Sequence, residues 1–206
     1  MDPNADLSSV SGNTFDESPA YIGIEGTVVG DLTLDAVDGL NTYVLTGDLV
    51  VPSGASLTVA PGISIRCLND DRFAIRVAGT FSATDAELSE LDLTAQSGAQ
   101  MDLSGCALND VAVLYEAGSS GTFSGNDYTG DPIEIRSDAV TVEDAESDLD
   151  LVLDGSPTVT GNEISSLVIE GGAPTITGNT IYGHYALRVD DPDADLSGVD
   201  SNNYPD

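Results

Sequence analysis

Apolar and polar residues alternate in short runs along most of this chain. Asp31-Leu32-Thr33-Leu34, Ser56-Leu57-Thr58-Val59, Ile63-Ser64-Ile65-Arg66-Cys67, Ile133-Glu134-Ile135 and Val140-Thr141-Val142 all have period two. That period predicts short β-strands with one buried face. Ile63, Ile65 and Cys67 are expected inward, Ser64 and Arg66 outward. Turn signals separate the runs: Pro52-Ser53-Gly54, Pro61-Gly62 and Gly125-Asn126. The best helix candidate is residues 86–93, but its leucines at 88, 91 and 93 fit neither period.

Residues 156–181 explain how such short strands are held. Pro157-Thr158-Val159-Thr160-Gly161-Asn162 returns as Pro174-Thr175-Ile176-Thr177-Gly178-Asn179, and Ile164 returns as Ile181, at an offset of 17 residues. This period is too short for a helix pair. One unit cannot bury its apolar side alone, whereas a stack of units can. Stacking by whole coils makes the strands parallel, and parallel connections are right-handed by default. The expectation is an all-β chain: one right-handed parallel β-helix (solenoid) over residues 1–206, with about ten coils of roughly 20 residues each. Val159, Ile164, Ile176 and Ile181 are predicted inside, and Thr158 and Thr177 outside or at the edge. Asn126, Asn162 and Asn179 each follow a glycine, and are expected to stack as a turn ladder sharing amide hydrogen bonds.

The segment VLTGDLVVPSGASLTVAPGISIR, followed by FAIRVAGTFSATDAEL, resembles the opening coils of secreted right-handed parallel β-helix proteins. The blocks TVTGNEI and TITGNTI resemble the repeats of pectin-lyase-like and copper-periplasmic-type surface proteins. The resemblance covers most of residues 42–190. It implies the fold but not one function, since that fold carries lyases, hydrolases, adhesins and phage spikes.

Charge narrows the partners. There are 36 acids against five basic residues, all arginine, for a net charge of −31. Nucleic acid and anionic membrane are poor partners for such a surface. Without lysine, no lysine-dependent mechanism is open. Salt screening would relieve the repulsion, so a high-salt or divalent-rich habitat is expected. Cys67 and Cys106 lie 39 residues apart, about two coils, too far for a disulfide, and read as buried free thiols. No apolar run approaches the roughly 18 residues that would span a bilayer. The start, Met-Asp-Pro-Asn, carries no signal-like region, so the sequence reads as a piece of an extracellular or cell-surface protein.

Candidate chemistry is sparse. Asp191, Asp193 and Asp195 form D-x-D-x-D, echoed by Asp2, Asn4 and Asp6. Alternate carboxylates suit a hard cation, and calcium is the one cofactor considered. Arg66, Arg72 and Arg76 lie within eleven residues, with Asp70, Asp71 and Asp85 as expected ion-pair partners; the alternative use is contact with an anionic glycan. Tyr182, His184 and Tyr185 are candidates to stack on a sugar. Polygalacturonase-type enzymes of the resembled fold carry paired Asp, Gly-His-Gly and Arg-x-Lys. Here stand Asp70-Asp71 and Gly183-His184-Tyr185, with no lysine. The alternative to a non-catalytic role is a carbohydrate-active enzyme, a polysaccharide lyase or glycoside hydrolase, or a glycan-binding module. Thr158, Thr160, Thr175 and Thr177 form a Thr-x-Thr pair two coils deep.

The two ends match. Residues 191–204, DPDADLSGVDSNNY, repeat residues 2–15, DPNADLSSVSGNTF, at an offset of 189. Eight positions are identical, and Tyr204 stands for Phe15. The expectation is one unit (about 2–190) of a longer tandem array, with residues 191–206 starting the next. Neighbouring copies would then stack head to tail, with Leu7 and Leu196 in equivalent inward positions. The function expected is a non-catalytic structural or adhesive repeat of an extracellular surface protein or fibre.

Overall fold

A computed structural model describes residues 2–8, 10–14, 20–68, 71–145, 149–182 and 187–205. The alternating runs become strands because each can bury one face only against a coil above and a coil below. Among the described residues every strand pairing is parallel and there is no helix. Residues 86–93 form two short strand pieces, Glu87–Ser89 and the start of Asp92–Ala95, with Leu88, Leu91 and Leu93 all buried. The leucine spacing fits neither period because a corner at Glu90, with φ 58°, falls between them.

The chain winds around three faces. The first is a nine-stranded sheet running from Asp31–Leu34 through Ser56–Val59, Thr80–Thr84, Gln100–Ser104, Ser120–Ser124, Ala139–Glu143, Thr158–Thr160 and Thr175–Thr177 to Val199–Asp200. The other two belong to a single 14-stranded sheet. Its long strands Thr42–Val51 and Glu163–Gly171 pass through the corner and pair on both faces.

Nine strands on the first face make eight turns, somewhat fewer than ten. Asp31 pairs with Ser56, Ser56 with Thr80, Thr80 with Gln100, Gln100 with Ser120 and Ser120 with Ala139. Thr141 then pairs with Thr158, Thr158 with Thr175, and Ile176 with Val199. The turns therefore take 25, 24, 20, 20, 19, 17, 17 and 23 residues in order. Long corners near the start use up the difference. At about 4.8 Å per turn the stack is roughly 38 Å long.

In-register pairing aligns like with like inside the coil. Leu103, Phe123, Val142, Val159 and Ile176 form one buried column, and Val77, Ala95, Tyr115, Ile135, Leu153 and Ile169 another. Val159, Ile164, Ile176 and Ile181 are buried as expected, Thr158 is exposed and Thr177 lies at the edge. Tyr115 reaches across the coil to donate its hydroxyl to the carbonyls of Met101 (3.3 Å) and Thr122 (3.2 Å). Gly121, φ 148°, lies between them in sequence register; a Cβ there would meet the Met101 carbonyl oxygen at 1.9 Å. Both cysteines are buried and free.

Ile176→Asp would place a carboxylate between Val159 and Val199. An unpaired buried charge of this kind costs on the order of 4 kcal/mol or more. The variant should lose its cooperative melt in circular dichroism; a soluble variant that melts like the parent would refute the inward register.

Candidate functional site

One corner of the coil is polar inside. Asn126, Asn162 and Asn179 sit there, each almost wholly buried. Each follows a Gly in the left-handed region, which only a residue without Cβ adopts at little cost. The amides bond along the axis. The Asn162 backbone N–H and Nδ2 both donate to Asn179 Oδ1, at 2.9 and 3.0 Å. Asn179 repeats this on Asn202 Oδ1, at 3.0 and 3.0 Å. Each Nδ2 also donates to the coil before: Asn162 to Val142 O (3.0 Å), Asn179 to Val159 O (3.0 Å) and Asn202 to Ile176 O (2.8 Å). The Asn ladder expected from the sequence is present for Asn162 and Asn179. It is interrupted below them, where Ala145 holds the corner and donates its N–H to Asn162 Oδ1 at 3.1 Å. Asn126 accepts from the Cys106 N–H at 2.8 Å. Cys106 fills the next corner position, and its thiol faces the Ala83 carbonyl at 3.4 Å in place of an amide. Burial pushes that thiol's pKa up.

The ladder leads to both ends of the solenoid. Asn13 donates its backbone N–H (2.7 Å) and Nδ2 (2.9 Å) to one carboxylate oxygen of Asp38. Gly12 N–H takes the other oxygen at 2.9 Å. This is the Asn162–Asn179 contact again, with Asp as the acceptor. Hydrogen bonds from Asn13 hold the Asp38 carboxyl below the usual carboxylate range. Asp38 itself has φ 51°, a left-handed corner that Asp tolerates.

The matching terminal sequences fold alike. Asp2 and Asp191 each accept the backbone N–H two residues on, from Asn4 and Asp193, both at 2.9 Å. Asp6 and Asp195 do the same for Ser8 and Ser197, both at 2.9 Å. Ala5 and Ala194 N–H donate to the carbonyls of Asp2 and Asp191 at 3.2 Å, and Val10 and Val199 N–H to those of Leu7 and Leu196 at 3.0 Å. Gly12 (φ 72°) and Ser201 (φ 55°) share a left-handed turn. Phe15, the partner of Tyr204 in the sequence match, lies outside the described residues. The two segments differ in what they touch. Residues 2–14 rest on the coil after them: Asn4 Nδ2 donates to Thr27 O (2.8 Å) and Asn4 Oδ1 accepts from Val29 N–H (2.7 Å). Leu7 packs half-buried on the core, beside a groove of about 430 Å³ lined by Val10, Ile24, Leu34 and Tyr43. Residues 191–203 rest on the coil before them, with Ile176 N–H donating to Gly198 O at 2.9 Å and Asn203 N–H to Asn179 O at 2.8 Å. Leu196 is therefore exposed where Leu7 is half-covered, and Val189 and Tyr204 are exposed beside it.

The Asp spacing read as a calcium pattern is, in this fold, a pair of turn caps. Hydrogen bonds from Asn4, Ser8 and Ser197 lower the carboxyl pKa of Asp2, Asp6 and Asp195 respectively. Among the described residues no three His, Cys, Asp or Glu are grouped to hold a metal. Arg72 bridges Asp92 (2.6 Å) and Asp110 (3.1 Å), and Arg76 pairs with Asp48 at 3.3 Å. These partners sit on neighbouring coils, 20, 38 and 28 residues away, and differ from Asp71 and Asp85 expected from local spacing; Asp70 lies outside the described residues. Arg136 pairs with Glu134 and Arg188 with Asp190, both at 2.7 Å. Arg66 differs: its Nε is buried without a hydrogen bond. Tyr182 lies six turns from Arg66 along the stack, roughly 29 Å away at about 4.8 Å per turn, so the two sets share no surface. His184 and Tyr185 lie outside the described residues. The Thr-x-Thr pair is part of a longer outward row: Thr33, Thr58, Ser82, Asp102, Thr122, Thr141, Thr158 and Thr175 are in register.

No family model, curated protein or solved structure matches this chain.

Asn179→Ala removes both the donor to Val159 O and the acceptor for Asn162. Leaving such buried groups unpaired costs about 1–3 kcal/mol each. The variant should melt well below the parent, and Asn202→Ala, at the half-exposed end of the ladder, should lose less. Equal losses would mean that the ladder is not cooperative.

Proposed function

We propose that this chain is a non-catalytic structural or adhesive repeat of a large extracellular surface protein or fibre, continued end to end by copies of the same unit. The observation that carries this reading is that residues 191–204 repeat residues 2–15 and also fold like them. The chain thus finishes on the half-coil with which it starts. A tandem copy would prolong the same solenoid by nine corner positions, from Asn13 to Asn202. The TVTGNEI and TITGNTI blocks and their Asn corner support kinship with the pectin-lyase-like β-helices. Four of the five arginines are held in ion pairs with carboxylates, which supports a structural use of them over substrate binding. The net charge of −31 fits a salty, cation-rich exterior.

A two-unit chain, with residues 2–190 duplicated in line, tests the reading. It should unfold in one cooperative transition above the single unit's midpoint, and small-angle scattering should show a rod longer by about 43 Å, nine coils at ~4.8 Å. Two transitions at the single unit's midpoint would remove the proposal.

Screening should stabilise the compact state, so the melting point should rise with sodium chloride. Calcium at matched ionic strength should raise it further if the Asp2/Asp6 and Asp191/Asp193/Asp195 loops bind the ion. Coincident curves would show that calcium acts by screening alone.

A further inference from the structure

Resting on the reading of this chain as an end-to-end repeat, we propose that separate copies exchange their terminal half-coils. Residues 191–204 of one copy would dock on the first coil of a second copy, in the place that copy's own residues 2–14 hold. The partner is thus a second copy of this chain, joined head to tail through one shared segment.

The two terminal segments make complementary contacts. Residues 2–14 bond only to the coil that follows, through Thr27, Val29 and Asp38. Residues 191–203 bond only to the coil that precedes, through Gly172, Ile176 and Asn179. The two contact sets use opposite edges of one backbone shape, so a single segment can make both. Asn202 is the joint. Its Oδ1 and one Nδ2 hydrogen serve the coil below. Asn13 shows where the other hydrogens go, which is onto Asp38 of the coil above. Asn162 and Asn179 already make both sets of bonds at once, so the amide geometry is sound. Docking would also cover Leu196, as the first coil half-covers Leu7.

One side chain sets the balance between a copy's own segment and an incoming one. Asn4 both donates to Thr27 O and accepts from Val29 N–H. Its counterpart Asp193 can accept but has no proton to offer the carbonyl. A copy's own segment is therefore preferred, and being tethered adds an effective concentration on the order of millimolar. Separate copies stay apart until concentrated, while covalently joined copies need no exchange.

The test is the mass of the full-length chain by sedimentation in molar salt, for the parent and for the exchange variant Asn4→Asp with Asp193→Asn. The variant should assemble in steps of one chain at a concentration at least ten-fold lower than the parent. A synthetic peptide of residues 191–204 carrying Asn at 193 should stop the growth, and adding Asp38→Ala should abolish it. A variant that stays a single chain, or that assembles regardless of the peptide and of Asp38→Ala, overturns the proposal. If the variant loses its cooperative melt, fluorescence-labelled peptide is titrated onto the parent chain. Saturable binding lost with Asp38→Ala supports exchange, and no binding up to millimolar peptide overturns it. A cooperative two-unit chain together with no exchange would leave the repeat reading standing and remove this inference alone.

Discussion

Everything in this molecule depends on the need of each coil to have its backbone groups met by the coils on either side. A parallel coil makes no hydrogen bonds of its own along its strands; its donors and acceptors point up and down the axis. Register follows from this, because side chains pointing inward must meet others pointing inward. So do the aligned columns of Leu, Val and Ile, and the constancy of the faces while the coil shortens from 25 to 17 residues. Length is taken up at corners, where backbone groups leave the sheets. There the Asn side chains stand in for a missing strand, each meeting a buried N–H from the coil below and a carbonyl that the sheet does not reach.

The same constraint gives the acids and arginines their places. Few of the 36 acids enter the core, yet many have structural work. Asp2, Asp6, Asp191 and Asp195 cap turns, Asp38 ends the ladder, and Asp92, Asp110 and Asp48 hold guanidinium groups from other coils. Exposed ion pairs of this kind contribute about 0–1 kcal/mol each, so they tie neighbouring coils in register more than they stabilise the whole.

The fold was legible because alternation is local and two coils repeat without insertion. Val159 and Ile176 could be placed inside from their neighbours alone. The number of turns was not, since only the coils near residues 156–181 keep a constant length; elsewhere the corner inserts change it without leaving a mark in the alternation. Arg72 shows the general difficulty. Its partners Asp92 and Asp110 are one and two coils away, and no local spacing names them. Cys106 is a second case: it reads as a core thiol, but it stands in the ladder column, and only the register reveals that its neighbour above is Asn126. The terminal repeat was visible in the sequence. That its two copies face opposite neighbours was not, because a sequence match carries no direction along the axis.

A solenoid differs from a closed domain in where it keeps unsatisfied groups. On the three sides of this one, outward residues are short hydroxyls and acids in contact with water, and the strands between them are paired above and below. At the ends a whole coil of backbone has a neighbour on one side only. Many solenoids cover those ends with an unlike capping element. Among the described residues of this chain the outermost elements are instead two versions of one internal half-coil, with Val10 exposed on the first and Leu196 and Tyr204 on the second. A segment shaped to have neighbours on both sides, and given one, retains directional donors and apolar area on its open edge. The Asn13–Asp38 contact specifies what the open edge at Asn202 fits, a left-handed corner carrying a carboxylate one coil on, and this chain supplies such a corner at its own beginning.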